Sequence, residues 1–212
     1  MLQVHKFTFS PFQENTYLLW DENKDCAIID PGCYEKNEEN LLQKTIQEKD
    51  LNPKLLLNTH CHLDHVFGNQ FVHRTYGLDP LIHPLEEIVL TSVPRAANMY
   101  GLNYTPSPKP KFYEDKEISL GGEKLKILFV PGHSPGHVAF YNKANGILLS
   151  GDVLFKQSIG RTDLPGGNMD QLMKSISEEL MPLPDETKVY AGHMEDTSIG
   201  EEKRFNPFLR GM

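Results

Sequence analysis

The sequence predicts an α/β fold in which two β-sheets pack face to face with helices outside. Short segments rich in β-branched and aromatic residues alternate with amphipathic segments. This order of strands and helices occurs twice along the chain. The chain has 212 residues and 39% hydrophobic content, enough to bury a substantial core, and no repeat or linker divides it. We therefore expect residues 1–212 to form a single domain.

The first half of the chain predicts four strands and two helices. The strands are VHKFTFS, NTYLLW, CAIID and PKLLLN, which are short and bounded by turn-forming residues. Residues 35–49 place apolar side chains three to four positions apart among charged ones, which is typical of an amphipathic helix. The apolar side chains of VFGNQFV recur with helical spacing, and Asp64 stands near the start of that helix, where an aspartate suits free backbone N–H groups.

The second half repeats the pattern after an irregular segment. Strands are predicted in KLKILFV, HVAFYN, GILLSG and KVYAGH, with helices over residues 169–179 and 199–205. Between Thr91 and Tyr113 the periodicity fades and prolines accumulate. This segment is expected to be an exposed excursion, which either frames a pocket or is a plain surface loop.

Composition narrows the possible partners. The formal charge of −8, from 29 acidic and 21 basic residues, disfavours nucleic acid as a partner. The three cysteines form no C-x-x-C pair and suit a reducing compartment, so a cytoplasmic location is expected. The N-terminus does not resemble a signal peptide, and no apolar run approaches membrane-spanning length. We expect a small-molecule substrate and no membrane partner; the sequence favours no particular oligomeric state.

The segment LLLNTHCHLDH concentrates candidate metal ligands directly after a predicted strand. His60 and His62 are two residues apart, so extended backbone can aim both imidazoles the same way. Asp64 and His65 follow and can face the far side of the same cavity. Histidines with carboxylates, without cysteine ligands, are more typical of a catalytic metal site than of a closed structural one. One loop can therefore serve two ions.

Three further candidates follow an apolar strand and a glycine: His133 in FVPGH, Asp152 in LLSGD and His193 in VYAGH. Glycine before a ligand allows the backbone to turn sharply where a strand leaves its sheet. The repetition of this pattern indicates a shared site. His5, His73 and His83 lie outside any such pattern and are interpreted as ordinary histidines.

The motifs THCHLDH, PGHSPGH, SGD and AGH, in this order, resemble those of the metallo-β-lactamase fold superfamily. SPFQENTYLLW, IIDPG and EEKRFNPFL resemble its glyoxalase II-like (hydroxyacylglutathione hydrolase-like) branch. This resemblance covers essentially the whole chain and implies a four-layer αββα sandwich with a dinuclear metal site at one edge of the sheets. It implies that one metal is held by His60, His62 and His133, the other by Asp64, His65 and His193, and that Asp152 bridges both. Two divalent ions are expected, zinc first, with iron and manganese as alternatives.

Such a site favours hydrolysis. Two ions about 3.5–4 Å apart can share a water and lower its pKa until hydroxide is available at neutral pH. That bridging hydroxide can attack an ester, thioester or amide carbonyl while a metal stabilises the developing charge. Asp152 would position both ions, and Asp64 would combine ligation with orienting the hydroxide. Asp30 would either orient a ligand histidine or act as a turn aspartate, and Cys61 is expected to be buried and to point away from the metals.

The leading functional hypothesis is a thioesterase that acts on a small acylated thiol such as S-lactoylglutathione. Arg161 fits a basic residue that holds glutathione in glyoxalase II, but Asp163 and Glu195 stand where that enzyme has aromatic residues. Arg161 and Lys203 are the candidates for attracting a substrate carboxylate. The alternatives are an iron-dependent oxidoreductase similar to persulfide dioxygenases, a lactonase or β-lactamase, and a scaffold with a structural metal. A nuclease is disfavoured by the acidic balance.

Overall fold

Two six-stranded sheets form the centre of the computed structural model, which describes residues 1–210. The first sheet has the spatial order β1-β2-β3-β4-β5-β6. Its strands are Gln3–Phe9 (β1), Glu14–Trp20 (β2), Asp25–Ile29 (β3), Asn52–Leu57 (β4), Pro80–Ile82 (β5) and Lys111–Phe112 (β6). Strands β1 to β3 pair antiparallel, whereas β3 to β6 pair parallel. The carboxyl ends of β3 and β4 therefore meet at one edge.

The second sheet has the order β14-β13-β10-β9-β8-β7. Its strands are Glu117–Leu120 (β7), Glu123–Phe129 (β8), Val138–Asn142 (β9), Ile147–Gly151 (β10), Lys188–Ala191 (β13) and Thr197–Ser198 (β14). A small hairpin of Leu154–Phe155 (β11) and Ser158–Ile159 (β12) lies between β10 and β13 in the chain. Strands β10 and β13 are parallel, so their carboxyl ends also lie at a common edge.

In the described part of the chain, five α-helices accompany the sheets: Lys36–Glu48 (α1), Asn69–Tyr76 (α2), Glu87–Met99 (α3), Met169–Ser175 (α4) and Ile199–Phe205 (α5). Short 3₁₀ turns occur at Leu63–His65, Pro84–Glu86 and Pro207–Leu209, and a π-helical turn at Ile176–Leu180 extends α4. None of the helices within residues 1–210 is long and apolar enough to cross a membrane.

Hydrophobic clusters define four layers. Between the sheets, side chains such as Leu19, Ala27 and Ile29 of the first sheet share a cluster with Phe140 and Leu149 of the second. The alternate residues of the same strands face outward, where Leu18 and Ile28 lie in a cluster with Leu42 and Ile46 of α1. On the far side, Leu148 and Val189 share a cluster with Leu172 of α4 and Ile199 of α5. Strands covered on both faces read as continuous apolar runs. The predicted αββα sandwich is confirmed.

The structure corrects two local predictions. Residues 91–99, expected to be part of an exposed excursion, belong to α3 and make up most of its 13 residues, even though Pro94 lies inside the helix. Val89, Val93 and Ala97 are spaced four residues apart and are buried in a cluster that contains Cys61. Tertiary packing of this face compensates for the backbone hydrogen bond that proline removes.

The second correction concerns α2. This helix begins at Asn69, so Asp64 does not cap it but lies in the preceding 3₁₀ turn Leu63–His65. Gly68 packs against Cys33 and Pro31 so closely that a Cβ there would collide with the Cys33 sulfur. The residues between Asp64 and Asn69 are thus held by long-range contacts, and the ligand loop is longer than the spacing of apolar residues predicts.

Candidate metal centre

The candidate ligands meet at one edge of the sandwich because the strands that precede them end there. His60 follows β4, His133 follows β8, Asp152 follows β10 and His193 follows β13. The two sheets are joined at this edge, where the Asn15 N–H donates to the Gly192 carbonyl at 2.7 Å. The strand ends thus bring together side chains that are up to 133 positions apart in sequence, from 60 to 193.

His60, His62 and His133 form what we call the three-histidine group. One nitrogen from each ring lies within 4.8 Å of the others, and His62 Nδ1 and His133 Nε2 are 2.9 Å apart. The His133 Nδ1–H donates to the Arg161 carbonyl oxygen at 2.7 Å, which leaves Nε2 with its lone pair facing the group. Burial lowers the pKa of His133, lowers that of His62 to about 3, and holds that of His60 well below its usual value. Neutral imidazoles with converging lone pairs suit a cation.

Asp64, His65 and His193 form a second set, the Asp64 group, whose ligand atoms also lie within 4.8 Å of one another. His193 Nε2 is 3.3 Å from Asp64 Oδ2, while its Nδ1–H donates to the Gln13 carbonyl oxygen at 3.2 Å. Burial opposes protonation, but Asp152 and Asp64 outweigh it and raise the pKa of His193 to about 10 and that of His65 well above its usual value. The negative potential that favours imidazolium here would equally attract a divalent cation.

The Asp152 carboxylate lies between the two groups. Its Oδ2 is 3.6 Å from His133 Nε2 and 3.4 Å from His193 Nε2, and its Oδ1 is 3.4 Å from His65 Nε2. Burial alone would raise the pKa of Asp152, yet His65 and His193 hold it well below its usual value. This one side chain therefore reaches both groups in its ionised form.

The residues fit a pair of cations. His60 Nε2, His65 Nε2 and Asp152 Oδ1 are buried and make no hydrogen bond among residues 1–210. Buried polar atoms without a partner cost free energy, so native structures rarely keep several of them together. Nitrogen and carboxylate oxygen atoms that converge in this way are suitable ligands for zinc, iron or manganese.

Two further side chains hold the ligands from behind. Asp30, at the end of β3, accepts hydrogen bonds from the Thr59 N–H at 2.7 Å and the Thr59 hydroxyl at 2.6 Å. Its Oδ2 also lies 3.1 Å from His65 Nδ1, although not at a hydrogen-bonding angle. His137 Nε2 accepts from the Asp152 backbone N–H at 3.0 Å, and its ring stacks on His60 at 4.6 Å. Both residues therefore contact candidate ligands directly.

Sequence reasoning missed Gln13 and Glu14. The Gln13 carbonyl orients His193, and the buried Glu14 places Oε1 3.9 Å from His65 Nδ1. Burial raises the pKa of Glu14 well above its usual value. The available signal was the polar QEN where an apolar strand begins, because a charged side chain at the start of a strand covered on both faces must either be buried or project from the edge of the sheet.

The side chains of the remaining candidates are not among the converging ligand atoms. The Arg161 guanidinium makes two hydrogen bonds to Asp163, at 2.6 and 2.7 Å, and is largely exposed. Lys203 binds Asp185 at 2.6 Å and the Leu183 carbonyl at 3.2 Å. Substrate binding by Arg161 and Lys203 stays a prediction. Cys61 is fully buried in an apolar cluster, as expected, and burial raises the pKa of its thiol.

An aromatic cluster borders the ligand loop. Phe67, two residues after His65, has ring centroids 4.8 Å from Tyr34 and 6.2 Å from Phe12. Phe12 in turn meets the exposed Tyr100, just after α3, edge to face at 5.4 Å. The end of α3 thus packs, through Phe12, against the aromatic cluster beside the ligand loop.

The chain is similar to a known protein family and to solved structures over nearly its whole length. A sequence model described as the metallo-beta-lactamase superfamily matches residues 9–193. The hydroxyacylglutathione hydrolase GloC of Haemophilus influenzae is 42% identical over 212 residues, which cover 98% of each chain. The crystal structure of the BLEG-1 B3 metallo-beta-lactamase matches with a TM-score of 0.88 and 34% identity, over 99% of this chain and 100% of that one. TTHA1623 in a di-iron-bound form matches with a TM-score of 0.87 and 37% identity, over 97% and 100%.

Proposed function

Because the chain belongs to the metallo-beta-lactamase superfamily, we propose that its metal centre hydrolyses the thioester of a small acylated thiol. The observation that carries this proposal is the position of the Asp152 carboxylate, within 3.6 Å of imidazole nitrogens from both groups. A carboxylate so placed suits two ions that act together. The name of the Haemophilus influenzae relative, a hydroxyacylglutathione hydrolase, supports a glutathione thioester as the reference substrate.

In this proposal the three-histidine group would hold one ion, the Asp64 group would hold the other, and Asp152 would contact both. Two divalent ions bound there would lower the pKa of a water molecule enough to make it a nucleophile and would polarise the substrate carbonyl. Zinc is our first choice, while the di-iron form of TTHA1623 keeps iron as an alternative.

The chain's own residues prepare the site for that chemistry. The carbonyls of Arg161 and Gln13 accept the Nδ1 protons of His133 and His193 and so fix the tautomer in which Nε2 faces inward. Asp30 holds the backbone of Thr59, directly before His60, and lies beside His65. Asp64 is the proposed hydrogen-bond acceptor that orients the attacking water. Its side chain is little exposed, and His65 and His193 hold its pKa below the usual value although burial acts in the opposite direction.

Substrate binding is proposed to use Arg161. Its Nε and Nη2 bind Asp163, so Nη1 is the guanidinium nitrogen that remains to meet a substrate carboxylate. Lys203 was the second candidate from the sequence, and its ammonium group would have to exchange Asp185 for a substrate carboxylate.

The test measures metal and hydrolysis in one preparation. We expect about two zinc ions per chain by elemental analysis, hydrolysis of S-lactoylglutathione, loss of activity after chelation, and recovery when zinc is restored. Asp152→Asn should lose hydrolysis, because the carboxylate shared by the two groups becomes a neutral amide, and Asp170→Asn, at an exposed aspartate on α4, is its matched control and should keep it. Metal-loaded protein that hydrolyses neither this thioester nor simpler ones would contradict the proposal.

A second candidate is β-lactam or lactone hydrolysis, which the likeness to a structure named as a B3 metallo-beta-lactamase favours. The ring carbonyl of a β-lactam or a lactone is opened by the same attack of a metal-activated water. A β-lactam assay on the same preparation distinguishes the two, because the better substrate has the higher kcat/KM. A mononuclear iron oxidoreductase is less well supported, because the Asp64 group offers a complete second set of ligands; one iron per chain without hydrolysis would favour it.

A further inference from the structure

Glu86 is a fully buried carboxylate outside the candidate ligand set. It lies at the end of the 3₁₀ turn Pro84–Glu86, immediately before α3. Burial raises its pKa, and within residues 1–210 the groups that act most strongly against this are hydrogen-bond donors and not cationic side chains. A charge buried without a counter-ion destabilises a fold unless it is well hydrogen-bonded. The contacts of this carboxylate therefore need a specific explanation.

Its three hydrogen bonds go to two loops that carry candidate ligands. Oε2 accepts from the Cys61 N–H at 2.8 Å. Oε1 accepts from the Gly136 N–H at 2.7 Å and from the Ser134 hydroxyl. Cys61 lies between His60 and His62, and Ser134 directly follows His133. One carboxylate thus ties together the backbones that carry all members of the three-histidine group.

The residues around Glu86 allow its carboxylate to lie close to both loops. The His83 ring accepts the Leu85 N–H at 3.2 Å and caps the turn, and Pro84 occupies its first position. A Cβ at Gly136 would lie 2.8 Å from the Glu86 nitrogen and 2.9 Å from its Cγ. Glycine at 136 is therefore required for the second loop to reach the carboxylate. The three donors to the Glu86 carboxylate all lie in the loops that carry the three-histidine group, and none of them belongs to Asp64, His65 or His193.

We propose that Glu86 is a positioning residue whose carboxylate fixes the distance between the His60–His62 loop and the His133 loop, so that their three imidazoles can bind one cation. It acts through backbone and hydroxyl donors and touches neither metal nor substrate. The inference rests on the proposed metal centre but not on any substrate, because its test measures metal affinity.

The test measures zinc affinity at one group at a time. In a His193→Ala background the three-histidine group is left intact, and in a His62→Ala background the Asp64 group is left intact. Glu86→Gln is nearly isosteric but replaces one acceptor oxygen with a donor, so it breaks at least one of the three bonds. We expect it to weaken zinc binding about 10-fold to 100-fold in the His193→Ala background and to have little effect in the His62→Ala background. Zinc is titrated against a chromophoric chelator.

Two further measurements separate positioning from a general loss of structure. The visible absorption of cobalt(II) bound in the His193→Ala background should change with Glu86→Gln, because the geometry of the ligands changes. Glu87→Gln, at the exposed next residue, should change neither affinity nor spectrum. Ser134→Ala removes one bond and leaves the carboxylate with two backbone donors, so a smaller loss with the same selectivity is expected.

An equal loss in both backgrounds, or no loss in the His193→Ala background, would overturn the proposal. If Glu86→Gln does not fold, Ser134→Ala provides the same test: a loss of zinc affinity in the His193→Ala background alone supports the proposal, and an equal loss in both backgrounds, or no loss, overturns it. Normal zinc uptake without thioester hydrolysis would contradict the proposed function and leave the role of Glu86 standing, so the two failures are distinguishable.

Discussion

Replacing Asp30 with asparagine tests how the Asp64 group is held. The Asp30 carboxylate accepts two hydrogen bonds from Thr59 and lies 3.1 Å from His65 Nδ1. Asparagine can keep Oδ1 for the Thr59 N–H, and the Thr59 hydroxyl can rotate to accept from the new amide. The amide nitrogen then faces His65 Nδ1 in place of a negative oxygen, so the principal loss is the charged contact with His65.

The size of the effect follows from that single contact. Losing a group that stands behind a metal ligand typically weakens metal binding about 10-fold to 100-fold. At about 1.4 kcal/mol for each factor of ten, this corresponds to a loss of about 1.4–2.8 kcal/mol in the free energy of zinc binding at the Asp64 group. The three-histidine group should be affected less, because Asp30 reaches it only through Thr59, whose hydroxyl oxygen lies 3.1 Å from His60 Nδ1 and can keep that contact in the variant.

The assay is the zinc titration in the His62→Ala background, where the Asp64 group binds alone. Asp25→Asn, at the opposite end of β3, is the matched control and should leave the affinity unchanged. Unfolding of the metal-free variants by urea shows whether the fold itself is weakened. Unchanged zinc affinity in Asp30→Asn, or an equal loss at both groups, would refute the argument that Asp30 acts through His65.

Four other experiments test separate parts of the molecule. Asp152→Ala should reduce the zinc content from about two ions to at most about one per chain, because both groups lose their shared carboxylate; two retained ions by elemental analysis would contradict its bridging position. Asp163→Asn should free the Arg161 guanidinium and lower KM for S-lactoylglutathione by about twofold to fivefold at unchanged kcat, the range expected of an exposed charge pair, and an unchanged KM would count against Arg161 as a substrate-binding residue. Burial raises the pKa of Glu86 above 4.5, so its contribution to the stability of the metal-free protein is present below pH 4.5 and is lost as the pH rises through the folded-state pKa. Above that folded-state pKa, the free energy of unfolding of the wild type should therefore fall relative to that of Glu86→Gln. Urea unfolding free energies that follow the same pH dependence in both proteins would contradict this prediction. Because burial raises the pKa of Cys61 well above its usual value, this thiol should react with a disulfide reagent only after denaturation; rapid reaction of the native protein would contradict its burial.

Much of the fold follows from local patterns in the sequence. The side chains of β2 and β3 point alternately to the two faces of the first sheet. One face packs against the second sheet and the other against α1, so both faces are apolar. Helix α5 spans Ile199–Phe205, as its spacing predicts. The seven candidate ligands were selected by residue type and by their position at strand ends, and the structure brings all seven to one edge.

Other features depend on contacts between distant segments. The pattern of residues 91–99 indicates a loop because proline is unfavourable in a helix, yet the face formed by Val89, Val93 and Ala97 is buried and the helix continues. Asp64 has the residue type of a helix cap, but packing of Gly68 against Cys33 and Pro31 delays the helix to Asn69.

The sequence by itself therefore determined the layered α/β architecture and the identity of the candidate ligands, because these depend on side-chain type and on spacing along the chain. Only the tertiary structure decided which groups stand behind the ligands. Glu86 lies in no motif and Glu14 lies in one that assigned it no role, and each is buried because donors or imidazoles from remote segments surround it. A buried carboxylate acquires its role from partners that sequence spacing does not reveal, since the free energy of its burial depends on hydrogen bonds formed when the sheets and loops come together.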